Sequence, residues 1–138
     1  MKREAKTLIV DDSKAVLRFM ENNLRDIGVL DITKAGDGLQ ATKLFREALQ
    51  GGTPFSLVFL DVVMPEMDGQ EALKRMRAME KDAGISGGDK ATIVMATSLN
   101  SPNDMMDALV GGDCSDYLVK PFDIGDLRAI LVKYGFTI

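Results

Sequence analysis

Short apolar runs alternate with segments of helical periodicity five times along this chain of 138 residues. The first run, at residues 7–10, is continuous and ends at two carboxylates, which is typical of a strand buried on both faces. Similar runs predict strands over residues 30–35, 55–60, 91–96 and 117–119. Strands this apolar need helices on both faces of their sheet. The pattern therefore predicts an α/β fold of five βα units, (βα)5, with a doubly wound parallel sheet.

Polar caps and glycines mark the ends of the predicted helices. Ser13 precedes apolar residues that recur every three or four positions until Gly28, and Asp37 precedes a similar segment that ends at Gly51. The other predicted helices are one after Gly69 that buries Leu73, Met76 and Met79, a short one at 104–110, and a last one that ends near Gly135.

Composition excludes several classes of protein. Seventeen Lys and Arg against 21 Asp and Glu give a net charge of −4, which disfavours non-specific nucleic-acid binding. The single cysteine excludes an internal disulfide, and the absence of histidine excludes histidine-based catalysis and phosphorylation of this chain on histidine. No apolar run reaches the roughly 18 residues of a membrane helix. We expect a single domain over residues 1–138, with no membrane contact and a cytoplasmic location.

Polar residues follow four of the five predicted strands. The first strand ends at Asp11 and Asp12, the third at Asp61, the fourth at Thr97 and the fifth at Lys120. Ligands of open α/β sheets bind beyond the carboxyl ends of the strands, so we expect these side chains to converge there. Each has an ordinary explanation when taken alone, and Asp12 could equally be a helix cap. Their joint placement favours a functional site.

Three carboxylates without histidine or cysteine favour a hard divalent cation, and Mg²⁺ before a transition metal. An amine and a hydroxyl beside such an ion could hold the oxygens of a phosphoryl group. A carboxylate can itself attack phosphorus and form an aspartyl phosphate. The residues therefore indicate Mg²⁺-assisted phosphoryl chemistry on an aspartate.

The same residues resemble the receiver domains of two-component response regulators. The resemblance lies in Asp11-Asp12, in Asp61 followed by 64–69 (Met-Pro-Glu-Met-Asp-Gly), in 96–98 (Ala-Thr-Ser) and in 117–122 (Tyr-Leu-Val-Lys-Pro-Phe). It implies a flavodoxin-like sheet with strand order 2-1-3-4-5. It also implies a signalling switch, not an enzyme with a substrate of its own, which accepts a phosphoryl group from a histidine kinase or a histidine phosphotransfer protein.

The resemblance also assigns roles to single residues. Asp61 would be the phosphoacceptor, Asp12 a direct Mg²⁺ ligand, Asp11 a ligand mainly through water, and Val63 a ligand through its backbone carbonyl. The remaining assignments are Thr97 and Lys120 as partners of the phosphoryl oxygens, Tyr117 as an aromatic that turns inward when Thr97 moves, and Pro121 as the residue after a cis peptide bond.

Signalling would then change the surface of the fourth helix, fifth strand and fifth helix. This surface would bind an output protein not identified by the sequence, or a second copy of the chain.

Two rival classes are an aspartyl-phosphate hydrolase of the haloacid dehalogenase type and a flavodoxin. The first places its nucleophile after strand one with a second Asp two residues later, where this chain has Ser13. A flavodoxin needs a phosphate-binding loop after strand one, and there the carboxylates of Asp11 and Asp12 would repel the phosphate of FMN. The chain could also be the receiver of a longer transcriptional regulator.

Overall fold

A computed structural model describes residues 5–62, 67–98 and 114–136, except the side chains of residues 97 and 98. The strands are β1 (Thr7–Val10), β2 (Ile32–Ala35), β3 (Leu57–Asp61), β4 (Thr92–Ser98) and β5 (Asp116–Lys120). The helices are α1 (Lys14–Ile27), α2 (Gly38–Gln50), α3 (Gly69–Asp82), the C-terminal helix (Ile124–Lys133) and a short 3₁₀ helix (Gly87–Asp89). None of the described helices is long and apolar enough to cross a membrane. The short helix predicted at 104–110 lies outside the described residues.

All five strands are parallel and form one sheet in the order β2-β1-β3-β4-β5. This confirms the predicted class and strand order. The central strand β3 is buried along its whole length. From β1 the chain continues to β2 at one edge of the sheet, and from β3 it continues through β4 to β5 at the other edge. The carboxyl ends of β1 and β3 therefore flank the position where ligands bind in doubly wound folds.

Alternate residues of each strand pack into two separate cores, one on each face of the sheet. One core lies under α2 and α3, and the other lies under α1 and the C-terminal helix. The largest buried side chains of the first include Phe45, Leu60, Leu73, Met76 and Met95, and those of the second include Ile9, Met20, Leu24 and Phe59. Both faces are therefore covered, as the apolar strands require.

The helices begin at side-chain caps that the sequence marks. Ser13 Oγ accepts the backbone N–H of Val16, and the Asp37 carboxylate accepts that of Gln40. Because Ser13 holds the capping position of α1, the alternative role of Asp12 as its cap is wrong. Asp12 is exposed and remains available to a ligand.

Two glycines allow close approaches beside Asp61, of α3 to the end of β3 and of α2 to the loop that follows β3. A Cβ at Gly69 would overlap the carbonyl oxygen of Asp61, and a Cβ at Gly38 would overlap that of Met67. Gly69 also donates its N–H to the carbonyl of Val62 at 2.8 Å. The helix that follows the β3 loop is thus packed directly against the strand end that carries Asp61.

Three predicted details are wrong. The third strand begins at Leu57, two residues after the predicted start at Phe55, although Phe55 is buried. The second strand begins at Ile32, not at Leu30, which is 69% exposed. In α3 the buried residue near the carboxyl end is Glu80 at 2% exposure, whereas Met79 is only half-buried. Glu80 is buried because Arg77 pairs with one of its oxygens at 2.7 Å and the Ala91 N–H donates to the other at 2.7 Å.

A second polar cluster joins the start of β5 to the C-terminal helix. Tyr134 donates its hydroxyl to the carbonyl of Ser115 at 2.8 Å and to the Asp116 carboxylate at 2.9 Å, and Lys133 donates to the same carboxylate at 2.8 Å. Burial opposes ionisation of Asp116, but the hydrogen bonds from Lys133, from the Tyr117 N–H and from Tyr134 outweigh it and lower the pKa of Asp116.

Candidate functional site

Asp11, Asp61 and Lys120 meet at the carboxyl edge of the sheet, on a single face of it. Asp11 directly follows β1, and the other two are the last residues of β3 and β5. The strand residues two positions earlier are all buried against α1 and the C-terminal helix: Ile9, Phe59 and Leu118. Because strand side chains alternate between faces, the three polar groups emerge above that same core. The predicted convergence of these residues is confirmed.

Lys120 bridges the two buried carboxylates. Its Nζ lies 2.9 Å from Oδ2 of Asp11 and 3.3 Å from Oδ1 of Asp61. The other oxygen of Asp11 accepts the backbone N–H of Ser13 at 2.9 Å. Asp11 is 2% exposed and Asp61 is 6% exposed, whereas 28% of the Lys120 side chain is exposed. The contacts therefore hold two buried negative charges beside one positive charge that solvent can reach.

Burial disfavours the charged form of the Lys120 amine, but the hydrogen bond to Asp11 and the charges of Asp61 and Asp11 outweigh this effect. Together they raise the pKa of Lys120 above its ordinary value of 10.5. The side chain is consequently an ammonium at neutral pH. It provides a fixed positive charge for any anion that approaches Asp61.

Asp12 adds a third carboxylate from the exposed side of the site. One oxygen of each of Asp11, Asp12 and Asp61 lies within 4.8 Å of the others. Three negative charges at this spacing outnumber the single ammonium, so the site favours a cation. A donor set made of carboxylate oxygens matches a hard ion such as Mg²⁺, which also needs room for water on its open side. The residues present therefore fit the expected metal.

The remaining predicted site residues differ in how far the structure describes them. Val63 lies outside the described residues. The backbone of Thr97 lies near the end of β4 and pairs with Val119 of β5, but the side chain of Thr97 is not described. Tyr117 is half-buried, pairs with Met95 of β4, and packs against the core under α2 and α3. The Lys120–Pro121 peptide bond is cis, as expected.

Sequence reasoning missed an apolar surface beside Lys120. Phe19 of α1 is 43% exposed and meets Phe122 edge-to-face, with ring centroids 6.1 Å apart. Together with Val16 and Pro121 they line a cavity of about 420 Å³ that reaches Lys120. The signal in the sequence was Phe19 itself, because it is a large aromatic outside the buried stripe of α1.

Comparison with protein families identifies the domain. Residues 7–132 match the family model described as "Response regulator receiver domain". The match covers all five strands, every polar residue of the site and the described helices except Lys133, the last residue of the C-terminal helix.

Individual relatives point to the same family. The chain is 32% identical over 128 residues to the chemotaxis protein CheY of Listeria monocytogenes, covering 93% of this chain and 96% of that protein. It is 33% identical over 130 residues to the probable transcriptional regulator ycf27 of Guillardia theta, covering 94% of this chain but only 44% of the regulator. The chain thus spans less than half the length of that relative.

A solved structure gives the same result for the fold. The co-crystal structure of the Saccharomyces cerevisiae histidine phosphotransfer signalling protein Ypd1 and the receiver domain of its downstream response regulator Ssk1 contains a chain that matches with a TM-score of 0.82. That match is 29% identical and covers 98% of this chain and 91% of the solved one. The family match over nearly the whole chain, together with the acidic edge at Asp61, establishes that this chain belongs to the receiver domains of response regulators.

Proposed function

We propose that this receiver switches between two states when Asp61 accepts a phosphoryl group. The observation that carries the proposal is the bridge from Lys120 to the buried carboxylates of Asp11 and Asp61. A phosphoryl group on Asp61 would bring further negative charge to a position already faced by an ammonium. Lys120 would then exchange its contact with Asp61 for a contact with a phosphoryl oxygen.

The donor is proposed to be a phosphohistidine of a histidine kinase or a histidine phosphotransfer protein. An Asp61 oxygen would attack phosphorus while the nitrogen–phosphorus bond breaks and its electron pair stays on nitrogen. This leaves an acyl phosphate on Asp61 and, with the other ring nitrogen protonated beforehand, a neutral imidazole on the donor. These 138 residues contain no histidine, so the donor histidine lies outside them. The receiver of Ssk1 was crystallised with the phosphotransfer protein Ypd1, which supports a partner of this kind.

Mg²⁺ is the proposed cofactor, held by Asp12, Asp61, the carbonyl of Val63 and, mainly through water, Asp11. When bound, the ion would supply the positive charge that neutralises phosphoryl oxygens during transfer. Asp11 fits the water-mediated role because both its oxygens already accept hydrogen bonds within the protein. Asp12 fits direct ligation because it is exposed and does not cap α1.

The proposed switch runs from Thr97 to Tyr117. The Thr97 hydroxyl would move toward a phosphoryl oxygen, and the ring of Tyr117 would turn into the space it leaves. Tyr117 is half-buried at the edge of a core and lies in β5 next to β4, so a small inward rotation would bury more of its ring. The two packings need to differ by only a few kcal/mol for phosphorylation to shift their populations.

The proposed output is binding of a partner protein to the surface around β5, in the cytoplasm where histidine kinases present their phosphohistidines. Phosphorylation-dependent pairing of two copies would use the same surface. The match to less than half of the Guillardia regulator favours a second candidate, in which the domain controls other parts of a longer transcriptional regulator. Both candidates place the same chemistry at Asp61.

Beryllofluoride, which mimics an acyl phosphate, tests the switch directly. With Mg²⁺ it should shift the amide NMR signals of Thr97 and Tyr117 as well as those around Asp61, and an Asp61→Asn variant should show none of these shifts. Perturbations confined to the neighbours of Asp11, Asp12 and Asp61 would overturn the proposed switch. Continuous release of phosphate from many phosphate esters would instead indicate the hydrolase class.

A further inference from the structure

A groove between α2 and α3 combines an apolar floor with a basic rim. Its first part has a volume of about 420 Å³, and a second part of about 370 Å³ continues it, sharing Arg46 and Met79. Leu39, Met79 and Leu49 line the floor, and Leu39 is 54% exposed. From Leu39 to Leu49 the floor follows α2 for about 15 Å. Leu49 and Met79 are half-buried, so the groove presents an apolar strip to solvent along α2.

The charges of the groove are opposite to those of the whole protein. Lys43, Arg46 and Arg75 line its first part, whereas the chain carries a net charge of −4. The acidic group on this part is Asp37, and its carboxylate already accepts the Gln40 N–H at 2.7 Å. Asp82 lines only the second part.

The cations of the rim are available to a partner. Among the described residues no carboxylate pairs with Lys43 or Arg46, which both lie exposed on α2. Arg75 contacts Glu71 at 3.5 Å, with more than half of each side chain exposed, so this pair contributes little and is easily exchanged. The rim thus holds positive charge that nothing in the described part of the chain neutralises tightly.

From this combination we propose that the α2–α3 groove binds an acidic amphipathic helix of a partner protein. Apolar side chains at positions i, i+4, i+7 and i+11 of that helix, which span about 16 Å, would lie along Leu39, Met79 and Leu49, and carboxylates beside them would face Lys43 and Arg46. A nucleic acid would use the cations but leave the apolar floor without a role. Among the described helices of a second copy, α1 and the C-terminal helix carry basic as well as acidic side chains on their exposed faces and match the basic rim less well than an acidic helix does.

A synthetic helical peptide of about 14 residues tests the proposal, with leucine at i, i+4, i+7 and i+11 and glutamate on both flanks of the leucines. Titration into isotopically labelled protein should shift the amide signals of α2 and α3 around the groove. A double variant, Lys43→Glu with Arg46→Glu, should weaken binding by about tenfold, which corresponds to about 1.4 kcal/mol. Leu39→Ser should also weaken it, because the floor loses its most exposed side chain.

The matched control reverses two exposed charges elsewhere, Arg18→Glu on α1 with Arg128→Glu on the C-terminal helix. It should change peptide affinity by less than about twofold. Equal losses in both double variants, signal changes outside the groove, or no binding at all would overturn the proposal. So would tighter binding of a single-stranded oligonucleotide, or of vesicles of anionic lipid, through Lys43 and Arg46.

Discussion

Replacing Lys120 with methionine should destabilise the protein by about 2–3 kcal/mol at neutral pH without divalent cations. The Lys120 amine lies 2.9 Å from Asp11 and 3.3 Å from Asp61, and both carboxylates are buried. Methionine keeps most of the length and apolar packing of the side chain but removes the positive charge. Two buried carboxylates would then face each other and Asp12 without an internal counter-ion.

The lost attraction between the Lys120 amine and the two carboxylates sets the size of this effect, because the repulsion between the carboxylates is the same in wild type and variant. The amine lies 2.9 Å from Asp11 and 3.3 Å from Asp61. Opposite unit charges at about 3 Å attract by about 5.5 kcal/mol at an effective dielectric constant of about 20, and the desolvation cost of the amine, which methionine avoids, offsets part of this. Solvent screens part of this energy, because 28% of the Lys120 side chain is exposed. For a domain of this length, a loss of about 2–3 kcal/mol lowers Tm by roughly 6–12 °C.

Thermal and urea unfolding in the presence of a chelator measures the loss. Lys133→Met is the control, because that lysine is 63% exposed and contacts a single carboxylate, and it should lower Tm much less. Added Mg²⁺ should reduce the deficit of the Lys120 variant, since a bound cation replaces the missing charge. An unchanged Tm for Lys120→Met, or an equal loss in the control, would refute the electrostatic account of this site.

Three further predictions follow from the same structure. Asp12→Ala should raise Tm without metal and weaken Mg²⁺ binding measured by calorimetry; a marked fall in Tm without metal would contradict the metal role. Gly69→Ala should cost more than about 3 kcal/mol in urea unfolding because its Cβ overlaps the Asp61 carbonyl, whereas Gly88→Ala, with open space around it, should be close to neutral. Asp116→Asn should lower stability at neutral pH, and because the folded-state pKa of Asp116 is below its ordinary 3.8, the difference from wild type should persist to about pH 4 and disappear below it. A difference that disappears above pH 5 would refute that assignment.

Local sequence patterns were sufficient for most of the fold. The strand Thr7–Val10 has the predicted bounds because all four residues are buried, so its apolar run and its strand coincide. The second strand was predicted to begin too early because Leu30 is apolar and yet exposed. Apolar character predicts burial only where the chain turns that side chain toward a core, and local sequence does not contain this information.

The candidate site was predictable to the level of residues sharing an edge of the sheet. The carboxyl ends of parallel strands meet there, so Asp11, Asp61 and Lys120 had to lie near one another. That Lys120 contacts both carboxylates at once depends on the lengths and rotamers of side chains up to 109 positions apart. The burial of Glu80 was missed for a similar reason, since Glu80 accepts the N–H of Ala91, which lies beyond the loop and the 3₁₀ helix that follow α3.

Intact-mass spectrometry after incubation with acetyl phosphate and Mg²⁺ tests the central claim most directly. The wild-type protein should gain a single phosphoryl group, and Asp61→Asn should gain none while keeping its fold. Asp68→Asn is the matched control, because asparagine caps α3 as well as aspartate does, and it should be labelled like the wild type. Full labelling of Asp61→Asn would contradict the assignment of Asp61 as the phosphoacceptor.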